Sequence, residues 1–348
     1  MVVKSADELR DLVRRIFLTA GSDQVNADCV ADHLVSSNLS GVDTHGVWHI
    51  PIYIDEIKKG NIIATAHPAI VKETPATALV RGNWAFGHLS ARYAMEVAIE
   101  KGARQGLAMV SLVASNHIGR LGHYVDMAAR AGLMSMIWGA GIGLRNPRTV
   151  PFGGRKPVLD TNPIAMGAPA GDNNPIMFDY ASTALSGVKV VNAQRRGQQL
   201  PPNCIVDKQG RPTTDPNDFF DGGAFLPFGG HKGYALMAMT EVFAGLLAAS
   251  ESYADEGQGT PMFRPQGVLM QVFKADLFQP MAEYRQRVDN LTERLRSTPP
   301  AEGFDRVMAP GDPEARARIE RGHDGIPIAN DVWQSIVEAV ATLGITDI

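Results

Sequence analysis

Cysteine is nearly absent. Cys29 and Cys204 are the only two in 348 residues. They are too few and too far apart to form a disulfide framework, and both are expected to be reduced, buried thiols. Charge of one sign is also missing: 33 Lys and Arg stand against 37 Asp and Glu, a net charge of −4. So balanced a chain offers no basic field for nucleic acid or an anionic membrane surface. Long hydrophobic runs are lacking too. The longest, Leu133 to Leu144, is too short and too rich in glycine to span a bilayer. At the start, Lys4, Asp7, Glu8 and Arg10 precede any apolar stretch, which is not a secretory signal pattern. These absences predict a cytoplasmic protein with no nucleic-acid and no membrane partner.

What is present is an ordinary globular balance, with 45% hydrophobic and 20% charged residues, enough for two or three domains and a large core. Leu9, Leu12, Val13, Ile16 and Phe17 recur at helical spacing, as do Val30, Leu34 and Val35. A helix from Tyr53 to Lys59 stops at Gly60-Asn61. Short β-prone runs follow at 69–71 and 78–80. A helix from Leu89 to Arg104, with Ser90 as its cap, leads to a buried strand, Leu107–Val113. Gly122 to Ala131 reads as a helix, Leu133 to Trp138 and Ile176 to Tyr180 as strands, and Gly233 to Ala249 as an apolar helix. Residues 250–266 read as a surface loop. Met281 to Arg296, Pro313 to Arg321 and Asp331 to Leu343 read as helices. There is no internal repeat. Helical ends around a mixed centre suggest a discontinuous helical domain enclosing an α/β domain.

Four clusters can carry chemistry. In Asp43-Thr44-His45-Gly46-Val47-Trp48-His49, a helix would put His45 and His49 on one face. Zinc helices use that spacing, but with a Glu after the first His and a third ligand, both missing here. His45 is then a general acid whose ring Thr44 or Asp43 orients, or else the pair caps or packs. In Ser115-Asn116-His117-Ile118-Gly119-Arg120, a histidine follows a strand and precedes a helix, where α/β proteins often seat ligands. Gly119 allows close backbone approach and Arg120 offers a fork for phosphate; a capping loop with a surface Arg is the alternative. Gly139-Ala140-Gly141-Ile142-Gly143-Leu144 nearly matches a dinucleotide fingerprint. Its last glycine is missing and Pro147 obstructs the helix that should follow, so it reads as a loop. Gly229-Gly230-His231-Lys232 opens an apolar helix and makes an anion site plausible. Asp179 ends a strand and can bind ribose hydroxyls or begin a turn.

Taken together and in order, these pieces resemble the type-2 malate/L-lactate dehydrogenase family, also called sulfolactate dehydrogenase-like. The matching stretches are 41–46, 115–119, Thr161-Asn162-Pro163, 210–216, 229–234 and Pro310-Gly311-Asp312. The subgroup most similar is hydroxycarboxylate dehydrogenase B, through 50–53, 117–123 and 179–182. The resemblance implies an α+β fold: a non-Rossmann cofactor domain with a largely antiparallel sheet at 76–284, beside a discontinuous helical domain from 1–75 and 285–348. It implies His45 as proton donor, with Thr44 orienting it and His117 as an acid/base or contact residue. It implies substrate contacts at His49, Tyr53 and Thr161. Cofactor contacts are implied at Gly119, Arg120, Leu121, Phe178, Asp179, Tyr180, Ala181, Ser182, His231, Lys232, Pro310, Gly311 and Asp312.

The expected activity is hydride transfer between NAD, with NADP as the alternative, and a small 2-oxo acid/2-hydroxy acid pair. No metal is expected, and the assembly implied is a homodimer or a dimer of dimers. The rivals are a metal-dependent hydrolase or lyase using His45, His49 and Asp43, a cyclic imine reductase of the same family, and a catalytically dead ligand-binding relative. Two departures from the family pattern stand out. His49 occupies the position where many members carry an Arg facing the substrate carboxylate, and Val188 stands near an Asp that the imine reductases use. The first predicts relaxed selectivity toward bulkier 2-oxo acids.

Overall fold

The computed structural model describes residues 1–254 and 257–348, together with the backbone of 255 and 256. In chain order the strands are β1 (Val2–Lys4), β2 (Ala69–Glu73), β3 (Thr77–Arg81), β4 (Leu107–Val113), β5 (Leu133–Ala140), β6 (Ile164–Ala168), β7 (Ile176–Tyr180), β8 (Ile205–Val206), β9 (Pro212–Thr213), β10 (Ala224–Phe225), β11 (Gly267–Lys274) and β12 (Ile326–Ile328). The helices are α1 (Ala6–Thr19), α2 (Gln24–Leu39), α3 (Ile50–Lys58), α4 (Gly87–Gln105), α5 (Leu121–Arg130), α6 (Gly187–Arg196), α7 (Pro216–Phe220), α8 (His231–Thr240), α9 (Met281–Arg296), α10 (Asp312–Asp324) and α11 (Asn330–Ala341).

Seven strands form the main sheet in the order β2-β3-β4-β11-β5-β6-β7. Only β3 and β4 run parallel; the other neighbours are antiparallel. β11 is central, and the sequence reading left it out. Its residues are apolar on both sides: Val268, Met270 and Val272 join one buried cluster and Leu269 another. A strand covered on both faces loses the alternation that identifies half-buried strands. Helices α4 and α5 cover the first face. Gly102 of α4 sits so close to the sheet that a Cβ there would meet Val272 Cγ2 at 2.5 Å.

Residues from α1, α2, α3, β12 and α11 share a separate core that includes Leu9, Phe17, Leu34, Ile54, Ile336 and Val340. Helix α1 starts on a capping box, with Ser5 and Glu8 satisfying each other's backbone N–H. Both ends of the chain thus pack together. β2 belongs to the main sheet, although it lies before residue 75. Helix α9 is tied to the β6–β7 turn, where Asp289 accepts from the backbone of Gly171, Asp172 and Asn173.

Several local expectations shift. Ser90 lies inside α4, its hydroxyl bonded to Phe86 O and Gly82 O, and does not cap the helix. His45 and His49 sit on two short 3₁₀ turns interrupted by extended Gly46, not on one helix face. A Cβ at Gly46 would meet Asn38 Oδ1 at 2.1 Å. The glycines after β5 serve close packing. A Cβ would meet Pro265 O at 2.1 Å from Gly141 and the Leu159 carbonyl carbon at 2.8 Å from Gly143. A 3₁₀ turn, Ile142–Leu144, follows them in place of a helix.

Between the terminal core and the sheet lie six imidazoles: His33, His45, His49, His88, His117 and His123. Burial holds His33, His88 and His117 well below the ordinary value, His49 at about 3 and His123 at about 4. The unfolded chain protonates such rings near pH 6.5, whereas the folded chain keeps them neutral. Stability is therefore complete above about pH 6.5 and falls as pH drops toward 4, by about 1.4 kcal/mol per pH unit for each ring. The melting temperature, followed by circular dichroism, should fall steeply between about pH 6.5 and 5. A flat profile there would contradict the burial of neutral rings.

Candidate active site

The site forms where three chain segments converge: the 3₁₀ turns of residues 43–49, the start of α3, and the loop between β4 and α5. Asn38 fixes the first. Its amide donates to Asp43 Oδ1 at 2.7 Å and its oxygen accepts from Val47 N at 2.9 Å. Arg321 of α10 holds Asp43 through both carboxylate oxygens, at 2.6 and 3.0 Å. Asp43 is therefore turned away from His45. Thr44 Oγ1 lies 3.1 Å from His45 Nδ1, as expected for an orienting hydroxyl.

The β4–α5 loop is fixed by Asn116, which is buried. Its amide nitrogen donates to the carbonyls of Trp84 at 2.8 Å and Ala85 at 3.0 Å, and its oxygen accepts from Thr260 N at 2.8 Å. The sequence gives Asn116 no evident role, because a buried amide whose partners are distant backbone groups leaves no local pattern. His117, next in the chain, is half-buried and stands against Phe263, with ring centroids 5.2 Å apart.

The rings converge. His45 and His117 stack at 5.8 Å and 24°, and His49 and His117 lie at 4.7 Å. Tyr53 Oη is 2.7 Å from His117 Nδ1, which leaves Nε2 as the nitrogen available to a ligand. His49 stacks on Tyr53 at 5.2 Å and 10°. Its Nε2 lies 3.0 Å from Thr44 O, a pure acceptor, so Nε2 carries the proton. Its Nδ1 is buried without a partner. With a pKa near 3, His49 presents no cation to the cleft. No group of three or more His, Cys, Asp or Glu side chains among the described residues is arranged to hold a metal.

The residues expected at the cofactor divide. Arg120 is fully buried and donates to Ser40 Oγ at 3.0 Å, so it is no open fork for a phosphate. Gly119 has φ +71°, and a Cβ there would meet His33 Nε2 at 2.3 Å, so it makes room for a histidine. Leu121 packs in the α4–α5 cluster. Asp179 accepts from Gly122 N at 2.7 Å and faces His45 and Arg120. Burial raises its pKa against those three influences, and burial lowers that of His45 against the pull of Asp179.

Ser182 is buried and ties β7 to the carbonyls of Thr161 and Asn162 at 3.0 and 2.7 Å. Thr161, half-buried, presents that carbonyl. Pro310 O accepts from Met177 N at 3.3 Å, Gly311 begins α10 with φ +97°, and Asp312 is locked to Arg296 at 2.6 and 3.0 Å. What stays open is the surface from β7 to α8. Phe178 stacks on Tyr180 at 4.7 Å, and half-buried Ala181 follows. Tyr180 is 41% exposed and meets Phe228 at 5.6 Å. Next come Gly229 and Gly230, then exposed His231 and Lys232 on a helix start with no side-chain cap. Cys29 and Cys204 are buried and free, and burial lifts the Cys29 thiol to about 11.

This geometry has close relatives. The chain is 33% identical to hydroxycarboxylate dehydrogenase B of Escherichia coli, covering 98% of this chain and 94% of that one. It is 35% identical to L-sulfolactate dehydrogenase of Methanothermobacter thermautotrophicus, covering 98% and 97%. Its fold superposes on the solved sulfolactate dehydrogenase from Methanocaldococcus jannaschii with a TM-score of 0.88 at 30% identity, over 99% and 98% of the two chains. The family model for malate/L-lactate dehydrogenase matches residues 4–337. With nearly the whole chain matched, the protein belongs to the malate/L-lactate dehydrogenase family.

Proposed function

We propose that this enzyme reduces a small 2-oxo acid to its 2-hydroxy acid, and runs the reverse, with a nicotinamide dinucleotide. The supporting observation is the pair of half-buried histidines, His45 and His117, stacked 5.8 Å apart at one cleft, in a chain of this family. The cofactor fits the surface from Tyr180 to Lys232: an exposed aromatic ring lies beside an uncapped helix start carrying a lysine. Backbone N–H groups, the helix dipole and an ammonium group together suit a diphosphate. The α8 start and Lys232 would hold it, with Tyr180 against a ring. When bound, the reduced nicotinamide supplies the hydride.

The chain's own part is the proton. We assign its transfer to His117, because its Nδ1 is anchored by Tyr53 and its Nε2 is the free nitrogen. A base oriented by a third group is a recurring arrangement for proton transfer. His45, steadied by Thr44, donates a hydrogen bond to the developing alkoxide, which strengthens as charge appears. The hydrolase reading loses its acidic member, since Asp43 is held by Arg321.

Wild type should oxidise NADH or NADPH in the presence of 2-oxo acids. His117→Asn should cut turnover by about 10²–10⁴-fold. His45→Asn removes one hydrogen bond to a charged oxygen and should cost about tenfold. A larger loss at His45 than at His117 would reverse the two roles.

Neutral His49 gives a substrate carboxylate no bidentate partner. Phenylpyruvate should therefore be accepted at least as well as oxaloacetate. His49→Arg should move the kcat/KM ratio toward oxaloacetate. A wild-type preference for oxaloacetate, or an unmoved ratio, would contradict this.

The helix running on from α8 exposes Met239, Val242, Phe243, Leu246 and Leu247, an apolar stripe at helical spacing. A second copy of the chain is the occupant proposed, in a closed two-fold dimer. Light scattering at micromolar concentration should give a dimer mass or a multiple of it, and Leu246→Asp should shift it toward monomer.

A further inference from the structure

A second cavity lies behind the histidine cluster. It has a volume of about 300 Å³ and its walls include Arg10, Asp32, His33, His88, Arg92 and His123. It touches none of His45, His49 and His117. Its mouth reaches solvent at Asp32, whose side chain is 54% exposed and pairs with Arg10 at 3.4 Å.

One residue belongs to both sides. His88 is fully buried in α4 and lines this cavity. Its Nε2 lies 3.4 Å from Tyr53 Oη, and Tyr53 Oη lies 2.7 Å from His117 Nδ1. Its other nitrogen, Nδ1, is buried with no partner in the protein. Leaving such an atom unsatisfied is costly, and a water molecule on the cavity side would satisfy it. A polar cavity of this size accommodates several water molecules.

We propose that His88 and Tyr53 form a proton path that returns a proton to the His117 ring, at Nδ1, from this second cavity while substrate and cofactor occupy the cleft. The proposal rests on the assignment of proton transfer to His117. During reduction, the His117 Nε2–H bond breaks as the substrate O–H bond forms. Tyr53 passes its hydroxyl proton to His117 Nδ1 and takes the proton from His88 Nε2. His88 takes a proton at Nδ1 from cavity water, and solvent entering at Asp32 makes up that proton. The electron pair comes from the bound reduced nicotinamide. One proton crosses and both rings stay neutral, each ending protonated at Nδ1; oxidation runs the chain backwards. Before a second reduction, water in the open cleft protonates His117 Nε2 while the chain returns to its starting tautomers and releases one proton to the second cavity.

The surroundings suit a neutral relay. His33 of α2 lies 4.6 Å from His88 and, on its other side, 4.6 Å from His123 of α5, between ring centroids. Tyr53 of α3, at 5.4 Å, and His117, at 6.2 Å, face His88 from the other side. His33 Nε2 accepts from Arg120 N at 2.9 Å, so its proton sits on Nδ1. The cations at the cavity are matched: Arg10 by Asp7 and Asp32, Arg92 by Glu96. Burial keeps His88 and His117 uncharged and Tyr53 protonated. A relay that moved an imidazolium through this volume would face the full cost of burying a charge.

The test uses steady-state kinetics of the whole enzyme. His88→Ala should lower kcat by about tenfold or more with the substrate KM unchanged. Added imidazole should restore kcat. Added 1-methylimidazole, of similar shape and basicity, has no second proton-bearing nitrogen and should not. Wild-type kcat in the variant overturns the path, as does rescue by both compounds or by neither. If His88→Ala fails to fold, Tyr53→Phe, which removes a single oxygen, carries the test. Its kcat should fall at constant KM with a larger solvent deuterium isotope effect, and wild-type values overturn the path. A wild-type enzyme inactive on every 2-oxo acid would overturn the functional reading itself. Active wild type with unaffected variants overturns the relay alone.

Discussion

Six imidazoles can share one small volume only if they are uncharged. That constraint governs the middle of the molecule. His33, His88 and His123 pack within 4.6 Å steps behind the cleft, and His45, His49 and His117 line it. Each neutral ring has one donor and one acceptor nitrogen, so a partner at one nitrogen decides where the proton sits. His33 accepts from Arg120 N, His49 donates to Thr44 O, and His117 meets the Tyr53 hydroxyl. A chain built this way must hold its backbone donors and acceptors in register from α2 to the β4–α5 loop. Gly119 is the clearest sign, since any side chain there would strike His33.

A network of charged groups lies beside the rings. Arg120 and Arg318 both donate to Ser40 Oγ at 3.0 Å, and Arg318 also reaches Asp126 at 3.2 Å. Asp179 closes the set against Gly122 N. These contacts join α2, α5, α10 and β7, so α10 supports the site without lining it. Arg321 does the same for Asp43. Together they explain why so many polar residues near the cleft are committed to structure and so few remain for ligands.

The order of motifs in the chain was readable in advance because it depends on residue identity and spacing. His45, Thr44 and His117 were identified that way and Tyr53 through the family resemblance, and they meet in space. Arg120 and Asp179, and Asp312 through the resemblance, were read as cofactor contacts, and each has a protein group as a partner. A charged residue next to a motif looks the same in sequence whether it faces a phosphate or a buried serine.

By itself, then, the sequence determined the family pattern, the amphipathic helices at both ends, and most strands from β2 to β7, because these follow from local periodicity and turn residues. It did not reveal β11, the strand that joins the two halves of the sheet, since burial on both faces erases alternation. Nor did it reveal His88, Asn116 or the second cavity. His88 acquires a role only through Tyr53, thirty-five positions away, and through a cavity walled by α1, α2, α4 and α5. Contacts across such separations are decided by packing, and only the tertiary structure brings those elements together.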